Sequence, residues 1–249
     1  MEAKTETVLL KGMINVSDFK NQGSSEHHLH QEAMTEVLSR VMRLPDLNIC
    51  GVGHRIVHGG AKFTAPVIID AACEQDLHQI AHLAPLHNPH NLMGVGLARE
   101  CLGGTHAVPH VGVFDTAFHS TIAPHIRTYA ISKQLREGLG VRQYGFHGIS
   151  VQHVAGVARA LLDSQGSNSG RLVVLHLGAG CSATAVKDGA SVDTSMGMTP
   201  LDGLVMGTRS GAMDPGAVLY ICEALGASVG EVSAMLNKES GLLGLSGLL

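Results

Sequence analysis

Apolar, strand-like segments that end in glycine-rich stretches are the feature that most constrains the fold of this chain. Glycine accounts for 31 of the 249 residues, against an average share of about 7% in proteins. The glycines cluster at 59–60, 145–148, 178–180 and 207–211. Glycine permits tight turns and the close approach of a ligand to the backbone. The pattern therefore predicts ligand-binding loops, several of them at strand ends.

Composition and charge exclude several classes of protein. A hydrophobic fraction of 45%, a charged fraction of 15% and a mean hydropathy of +0.18 exclude a disordered chain. The apolar runs fall far short of the roughly 18 residues that span a membrane. A net charge of −4 with 17 basic residues predicts no nucleic-acid partner. Residues 1–7 carry acids and no long apolar core, unlike a signal peptide, so we expect a cytoplasmic location.

Cysteine and histidine give little support to a metal site. The five cysteines are dispersed without a CxxC pair, which favours a reducing compartment over a disulfide framework or a zinc knuckle. Among 16 histidines, His27, His28 and His30 are close together, but they lie beside a polar loop. No HExxH motif occurs, so a solvated loop is favoured over a zinc site.

Hydrophobic periodicity predicts strands that alternate with helices, which is typical of an α/β protein. Strands are predicted at 48–57, 66–70, 107–114, 171–177, 181–186 and 191–194. Helices are predicted at 33–42, 70–84, 92–102, 150–162, 216–225 and 228–236. Lys187-Asp188-Gly189 is expected to form the turn of a hairpin. There is no internal repeat.

Two reactive side chains stand at predicted strand ends in the first half of the chain. Arg55 precedes Gly59 and Gly60, and its planar guanidinium suits bidentate capture of a carboxylate or phosphate. The alternative is an arginine that pairs with a surface acid. Asp115 follows an apolar strand and suits a Mg²⁺ site or acid–base chemistry. Its alternative is a helix N-cap.

Three further features stand in the second half. His147 lies in a Gly-Phe-His-Gly turn, where the alternative is a histidine satisfied by the turn itself. Arg209 has glycines on both sides and supplies a fixed positive charge. The GAGCS stretch at 178–182 offers backbone N–H groups for phosphate, or simply the geometry of a turn. Together these residues form a phosphoryl-transfer set, and the absence of a Walker motif places any nucleotide site in another fold.

Eight sequence segments, taken in order along the chain, closely resemble motifs of the acetate kinase family. They are GHRIVHGG at 53–60, LAPLHNP at 83–89, VFDTAFH at 113–119, YGFHG at 144–148, HLGAG at 176–180, DTSMGMTP at 193–200, GLVMGTRSG at 203–211 and KESGLLGL at 238–245. The resemblance implies the two-domain α/β fold of actin, sugar kinases and Hsp70 (ribonuclease H-like). It also implies a homodimer and reversible phosphoryl transfer from ATP to acetate with Mg²⁺, giving acetyl phosphate and ADP.

The resemblance also assigns roles to particular residues. Arg55 and Arg209 would bind the carboxylate and the moving phosphoryl group, which His147 and the nearby His87 would help to stabilise. Asp115 would help to organise the metal and the acetate. The pocket for the substrate methyl group would be formed by Val57, Leu86, Phe146 and Pro200. The nucleotide phosphates would lie near His176, Gly178, Ala179 and Gly180. Propionate is also a candidate substrate, because one extra methylene group changes the binding free energy by only about 1–3 kcal/mol.

Some positions depart from the family pattern. Ala179 replaces the usual asparagine of the HLGNG word, Ile149 replaces a threonine and Val151 replaces a histidine. Asn21-Gln22-Gly23-Ser24-Ser25 is similar to the family's phosphate loop, but no strand precedes it, so we interpret it as a chance match. The family's C-terminal adenosine loop and its late Mg²⁺-binding glutamate have no counterpart.

We therefore expect a fold truncated at both ends. Residues 1–118 would form an N-terminal α/β domain without its first strand and phosphate loop, and 119–249 an incomplete second α/β domain. Three readings stay open. The chain is an active phosphotransferase with a carboxyl group as acceptor, a catalytically dead fragment that keeps the acetate side of the site, or a remnant that associates with a longer subunit through its apolar C-terminal edge.

Overall fold

The computed structural model describes residues 10–15, 19, 26–45, 49–102 and 108–248. In chain order the strands are β1 Val52–Ile56, β2 Val67–Ile68, β3 His110–Phe114, β4 Arg171–Leu177, β5 Cys181–Lys187 and β6 Ala190–Thr194. The helices are α1 Glu26–Met42, α2 Ala71–Gln79, α3 Asn88–Leu102, α4 Pro124–Arg127, α5 Lys133–Leu139, α6 Gly148–Ser164, α7 Pro215–Leu225, α8 Val229–Lys238 and α9 Gly241–Ser246. Short 3₁₀ helices occupy Ala81–Leu83 and Ala117–Thr121.

The first sheet has the strand order β1-β3-β2. β1 and β3 are parallel, with Arg55 opposite Val113 and Ile56 opposite Phe114, and β2 is antiparallel to β3. Side chains from this sheet, α2 and α3 form a core that includes Ile56, Phe114, Leu77, Leu92 and Val95. Because β1 and β3 run in the same direction, the residues that follow them leave the sheet at the same edge.

The second sheet is antiparallel, with the order β4-β5-β6. The predicted hairpin turn is confirmed: Asp188 and Gly189 have φ angles of 51° and 84°, as a type I′ turn requires. Helix α6 covers one face of this sheet, where Val151 and Ala155 join a buried cluster with Val174 and Val186. The opposite face leaves Val173, Leu175 and Leu177 exposed.

A third buried cluster joins the two sheets. It comprises Val57, which follows β1, Phe146, which precedes α6, and Ala84, Met196 and Met206. The ends of β1 and β3 are thereby held against the start of α6 and the loops after β6. The residues that the sequence predicts to be reactive lie at this junction.

The α/β class is confirmed, but several predicted bounds are wrong. Helix α3 begins at Asn88 rather than at 92, because Pro89 occupies its first turn, where the missing N–H has no helical partner to lose. α1 begins at Glu26, not at 33. The short helices α4, α5 and α9 were not predicted, since four to seven residues carry too little periodicity.

Two sequence predictions remain untested by the fold. The loop at 21–25 lies outside the described residues, and the division into domains at 118/119 stays a prediction. Within the described part of the chain, no single helix is long and apolar enough to cross a membrane. Helices α7 and α8 reach that length and hydropathy only as a pair, across a bend of 118°.

Candidate active site

An arginine–aspartate pair lies where the parallel strands β1 and β3 end. Arg55 Nε donates to Asp115 Oδ1 at 3.0 Å, and Nη2 donates to Oδ2 at 2.6 Å. The Asp115 side chain is 2% exposed, whereas that of Arg55 is 62% exposed. Hydrogen bonding to Asp115 raises the pKa of Arg55. The carboxylate therefore fixes the guanidinium in place while its remaining N–H groups face outward.

The Asp115 backbone ties this pair to helix α6. Its N–H donates to the carbonyl of Ile56 at 3.1 Å, and its own carbonyl accepts from the N–H of Gly148 at 2.8 Å. A Cβ on Gly148 would lie 2.3 Å from that carbonyl oxygen, so only glycine fits here. The contact places the first turn of α6 directly beside the buried carboxylate.

His147 is the residue immediately before α6, and it adopts a left-handed conformation with φ 61°. Its Nδ1 lies 2.9 Å from the buried hydroxyl of Ser182, and its ring stacks on His176 at 4.0 Å. Burial, and next the charge of His176, lower the pKa of His147 to about 4. The imidazole is thus neutral at pH 7. In the tautomer in which the Ser182 hydroxyl donates to Nδ1, the ring proton is on Nε2.

Arg209 and His87 complete the cluster. Arg209 Nη1 donates to the carbonyl of Pro200 at 3.1 Å, and burial lowers its pKa. A Cβ built on Gly180 would lie 3.3 Å from Arg209 Nη1 and 3.4 Å from His147 Nε2, so the three residues meet at one point. Burial, then the charges of Arg209 and Arg55, lower the pKa of His87. Arg55, His87, His147 and Arg209 therefore share one electrostatic environment.

The four residues predicted to surround the substrate methyl group fall into two pairs. Leu86 and Pro200 line a cavity of about 350 Å³ between the start of α3 and α8. Val57 and Phe146 belong to the buried cluster at the junction of the sheets. Ala84 is common to the cavity and the cluster, and so connects the two pairs. His87 also lines the cavity, which opens beside the charged groups.

The residues predicted for the nucleotide form the β4–β5 hairpin. Gly178 and Ala179 are exposed at its turn. The N–H of Gly178 donates to the carbonyl of Gly180 at 3.0 Å, so it is engaged within the turn and does not point toward a ligand. His176 contacts His147 and lies 2.9 Å from the Ser150 hydroxyl through its Nδ1. In this fold, His176 supports the ring of His147.

The described residues do not by themselves form a Mg²⁺ site. Among them no group of three or more His, Cys, Asp or Glu side chains could hold a metal ion. Asp115 is the predicted metal-side residue, and both of its oxygens already accept hydrogen bonds from Arg55. Mg²⁺ requires near-octahedral oxygen coordination, usually with carboxylate and phosphate ligands. The arrangement suits anion binding by arginine better than cation binding.

Several supporting residues were missed by the sequence reasoning. Asn88 is buried, and its side chain bonds to both the N–H and the carbonyl of His58. Asn91 Oδ1 accepts from the N–H of Val57 at 3.1 Å. His119 Nε2 donates to the carbonyl of Phe146 at 2.8 Å. Ser182 shares the buried face of β5 with Thr184 and Val186, and the apolar Val186 is the sequence signal that could have placed it there.

Comparison with known proteins gives one consistent result. Residues 3–249 match the model of the acetokinase family. An acetate kinase of Leifsonia xyli subsp. xyli is 44% identical across 99% of this chain. A propionate kinase of Yersinia enterocolitica is 50% identical across 79% of it. The crystal structure of a propionate kinase from Francisella tularensis is 43% identical over 90% of the chain, with a TM-score of 0.79. That of Porphyromonas gingivalis acetate kinase is 39% identical over 86%, with a TM-score of 0.74.

These likenesses confirm the predicted fold of the actin and sugar-kinase type. The chain spans only part of the proteins it matches. It covers 65% of the Leifsonia protein and 48% of the Yersinia protein. Of the two solved structures it covers 56% and 55%. The similarity extends over nearly the whole of the present chain, including every residue of the site described above.

Proposed function

The chain belongs to the acetokinase family, and from that premise we propose that it binds a short carboxylate for phosphoryl transfer. The reaction is the reversible transfer of the γ-phosphoryl group of ATP to acetate, giving acetyl phosphate and ADP. The observation that carries the proposal is that His147 and Arg209 meet at Gly180, while Arg55, fixed by the buried Asp115, is near enough for its charge to lower the pKa of His147. Fixed donors at one point suit a reaction in which charge spreads over the phosphoryl oxygens.

Arg55 is proposed to bind the carboxylate. Asp115 engages Nε and one side of Nη2, and the exposed remainder of the guanidinium is free to donate. One carboxylate oxygen of the substrate then attacks the γ-phosphorus as the bond to the ADP oxygen breaks. Holding the two reactants together supplies much of the rate enhancement in such reactions.

Arg209 and His147 are proposed to stabilise the transferring group. Arg209 supplies a permanent charge, and His147 supplies a neutral Nε2–H donor, because its pKa of about 4 keeps the ring uncharged at pH 7. The stacked His176 and the Ser182 hydroxyl hold the His147 ring in that orientation. His87, whose pKa the charges of Arg209 and Arg55 help to lower, is proposed as a third donor. None of these groups has to accept a proton from the substrate, which reacts as the carboxylate.

Propionate is a second candidate substrate, and two observations favour it. Propionate kinases are among the most similar proteins. In addition, Leu86 and Pro200 border a cavity of about 350 Å³, more than one methyl group needs. A single methylene is worth about 1–3 kcal/mol in a hydrophobic pocket, so both acids can be accepted.

Several expectations stay predictions. ATP is expected as the phosphoryl donor, with Mg²⁺ neutralising its phosphates, but no step is assigned to a metal held by this chain. The roles of His176, Gly178, Ala179 and Gly180 toward the nucleotide, a homodimer and a cytoplasmic location also rest on the resemblance. So do the two alternative readings, a fragment without activity and an interaction remnant.

The test is to assay the purified 249-residue chain for acyl phosphate, trapped as the hydroxamate, with ATP, Mg²⁺ and either acetate or propionate. We expect product, and a loss of about 10²–10³-fold in kcat for Arg209→Ala, the loss typical of a removed transition-state donor. Arg159→Ala removes an exposed arginine on α6 and is the matched control.

A second measurement separates the alternatives. Titration of the chain with acetate, followed by NMR shifts of the arginine side chains, reports carboxylate binding without turnover. A folded chain that binds acetate at Arg55 but makes no product and binds no nucleotide is the fragment that keeps only the carboxylate side. A folded chain that binds neither acetate nor propionate contradicts the proposal as a whole.

A further inference from the structure

A small, partly open cavity lies behind the catalytic cluster, between α4, the 3₁₀ helix Ala117–Thr121 and the segment that leads to His147. Its volume is about 10 Å³, which is room for one body of the size of a water molecule. We call it the arginine cavity. It is lined by Gly60, Thr64, Thr116, His119, Ser120, Arg127, Arg142, Gln143 and Tyr144. No residue assigned above to the carboxylate, phosphoryl or nucleotide groups is among them.

Two arginines line this cavity, and within the described part of the chain neither pairs with a carboxylate. Among the described residues, no Asp or Glu oxygen lies within 4.0 Å of Arg127 or Arg142. To the described residues, the Arg127 side chain donates one long bond, 3.4 Å from Nη1 to the carbonyl of Ser120. Arg142 packs over the ring of Tyr144 at 4.6 Å, and its buried Nε has no hydrogen-bond partner in the part of the chain that the structure describes.

The other lining groups add donors rather than negative charge. The Thr116 hydroxyl oxygen accepts from the N–H of Gly59, so its proton is free to be donated. The polar groups of His119, Gln143 and Tyr144 are already bonded to Phe146 and Ser191, to Thr194 and Met196, and to Gly140 respectively. Burial, and then the charge of Arg142, lower the pKa of Arg127. The two positive charges therefore repel one another.

We infer that the arginine cavity binds a single small monovalent anion of the size of chloride. A buried donor without an acceptor, beside two unpaired positive charges, is unfavourable unless something supplies negative charge. An anion between the guanidinium groups satisfies Arg142 Nε and offsets the repulsion. Chloride is larger than water, so it would sit toward the open side of the cavity, and the small volume excludes phosphate, sulfate and carboxylates.

The position of the site indicates its effect. Arg127 ends α4, and Arg142 lies five residues before His147 on the segment that joins the sheet junction. An anion held by both would fasten α4 to that segment. We therefore expect the anion to stabilise the folded chain, and this expectation does not depend on whether the chain transfers phosphoryl groups.

The first experiment locates the ion directly. Crystals of the chain grown in sodium bromide are measured at the bromine absorption edge. An anomalous peak between Arg127 and Arg142 supports the inference. Density in the cavity without anomalous signal, which means water alone, overturns it.

The second experiment measures the effect in solution. The Tm is followed as chloride replaces gluconate at constant ionic strength. We expect the Tm to rise by about 3–6 °C when chloride reaches ten times its dissociation constant. Arg142→Gln should abolish most of this rise, and the control Arg159→Gln, on the surface of α6, should keep it. An equal rise in Arg142→Gln, or no rise in the unsubstituted chain, overturns the inference.

Discussion

Gly148 shows how one residue without a side chain sets the geometry of the site. Its N–H donates to the carbonyl of Asp115, and the two backbones are so close that a Cβ atom at position 148 would not fit. The contact holds the start of α6 against the end of β3. His147 and Asp115 are consequently placed by the same backbone contact.

We predict that Gly148→Ala destabilises the chain by about 1–3 kcal/mol, because the new Cβ would stand 2.3 Å from the Asp115 oxygen and force the two backbones apart. Urea unfolding measures the change. Gly156→Ala, in the middle of the same helix with no atom within 4 Å of the new Cβ, is the control. It should stabilise by about 0.5–1 kcal/mol through helix propensity. Equal effects of the two substitutions would show that the close approach at Gly148 is not tight.

Some site residues are visible in the sequence for physical reasons, and others are not. Arg55 and Asp115 could be found because a charged residue at the end of an apolar strand is conspicuous. Ser182 and Asn88 could not be assigned, because their roles depend on partners 35 and 30 positions away in the chain. Local pattern gives the face of an element on which a residue lies, but not what it meets there.

At the scale of elements, strong local signals predicted the second sheet well. β4 was predicted with its observed bounds, and the Asp188-Gly189 turn fixed the register of β5 on β6. The first sheet was harder, because β1 and β3 pair across 53 intervening residues and β2 has only two residues. Its strands were predicted longer than they are, since apolar residues continue beyond the paired segment.

Helix α8 carries its own start signal, a capping box formed by Ser228 and Glu231. The Ser228 hydroxyl accepts from the N–H of Glu231 at 3.3 Å, and the Glu231 carboxylate accepts from the N–H of Ser228 at 2.8 Å. The Ser228 hydroxyl also donates to the Glu231 carboxylate at 2.7 Å, and this bond, followed by the one from the Ser228 N–H, lowers the pKa of Glu231. Since α8 forms one wall of the cavity beside Leu86 and Pro200, its order affects the shape of the acyl pocket.

We predict that Ser228→Ala destabilises the chain by about 1 kcal/mol, because an orphan N–H of the first turn loses its acceptor. Ser233→Ala, an exposed change inside α8, should instead be neutral or slightly stabilising. The Glu231 carboxyl titration, followed by NMR, should move upward in Ser228→Ala and stay unchanged in Ser233→Ala. An unmoved Glu231 in both variants would contradict the capping box.

At the scale of the whole molecule, the site exists only because two separately built sheets meet. Arg55 and Asp115 come from the first sheet, and His147 and Gly180 stand beside the second. Sequence patterns predicted the reactive residues at the ends of each sheet separately. Only the resemblance to the acetate kinases indicated that the two groups form one site. The buried cluster of Val57, Phe146 and Met206 supplies the physical reason for the junction.

The burial of histidine side chains in the folded chain makes its stability sensitive to acid. Burial is the largest cause that lowers the pKa of His54, His58 and His147, each to about 4. In the unfolded chain a histidine titrates near its ordinary value of about 6.5. The unfolded state therefore binds more protons between these values, so stability is present above pH 6.5 and is lost as the pH falls toward 4.

His58 gives the clearest test, because it is fully buried and packs against Tyr144 and Phe146. Its shift alone corresponds to on the order of 3 kcal/mol between pH 7 and pH 4. We predict that His58→Asn, whose Oδ1 can accept the Gly60 N–H in place of Nδ1, is less stable at pH 7 but has a flatter pH dependence. Urea unfolding at pH 7.0, 5.5 and 4.5 measures both quantities. His125→Asn, an exposed change on α4, is the control and should keep the pH dependence of the unsubstituted chain. If the stability of His58→Asn falls as steeply with pH as that of the control, His58 takes up its proton without unfolding and the prediction is wrong.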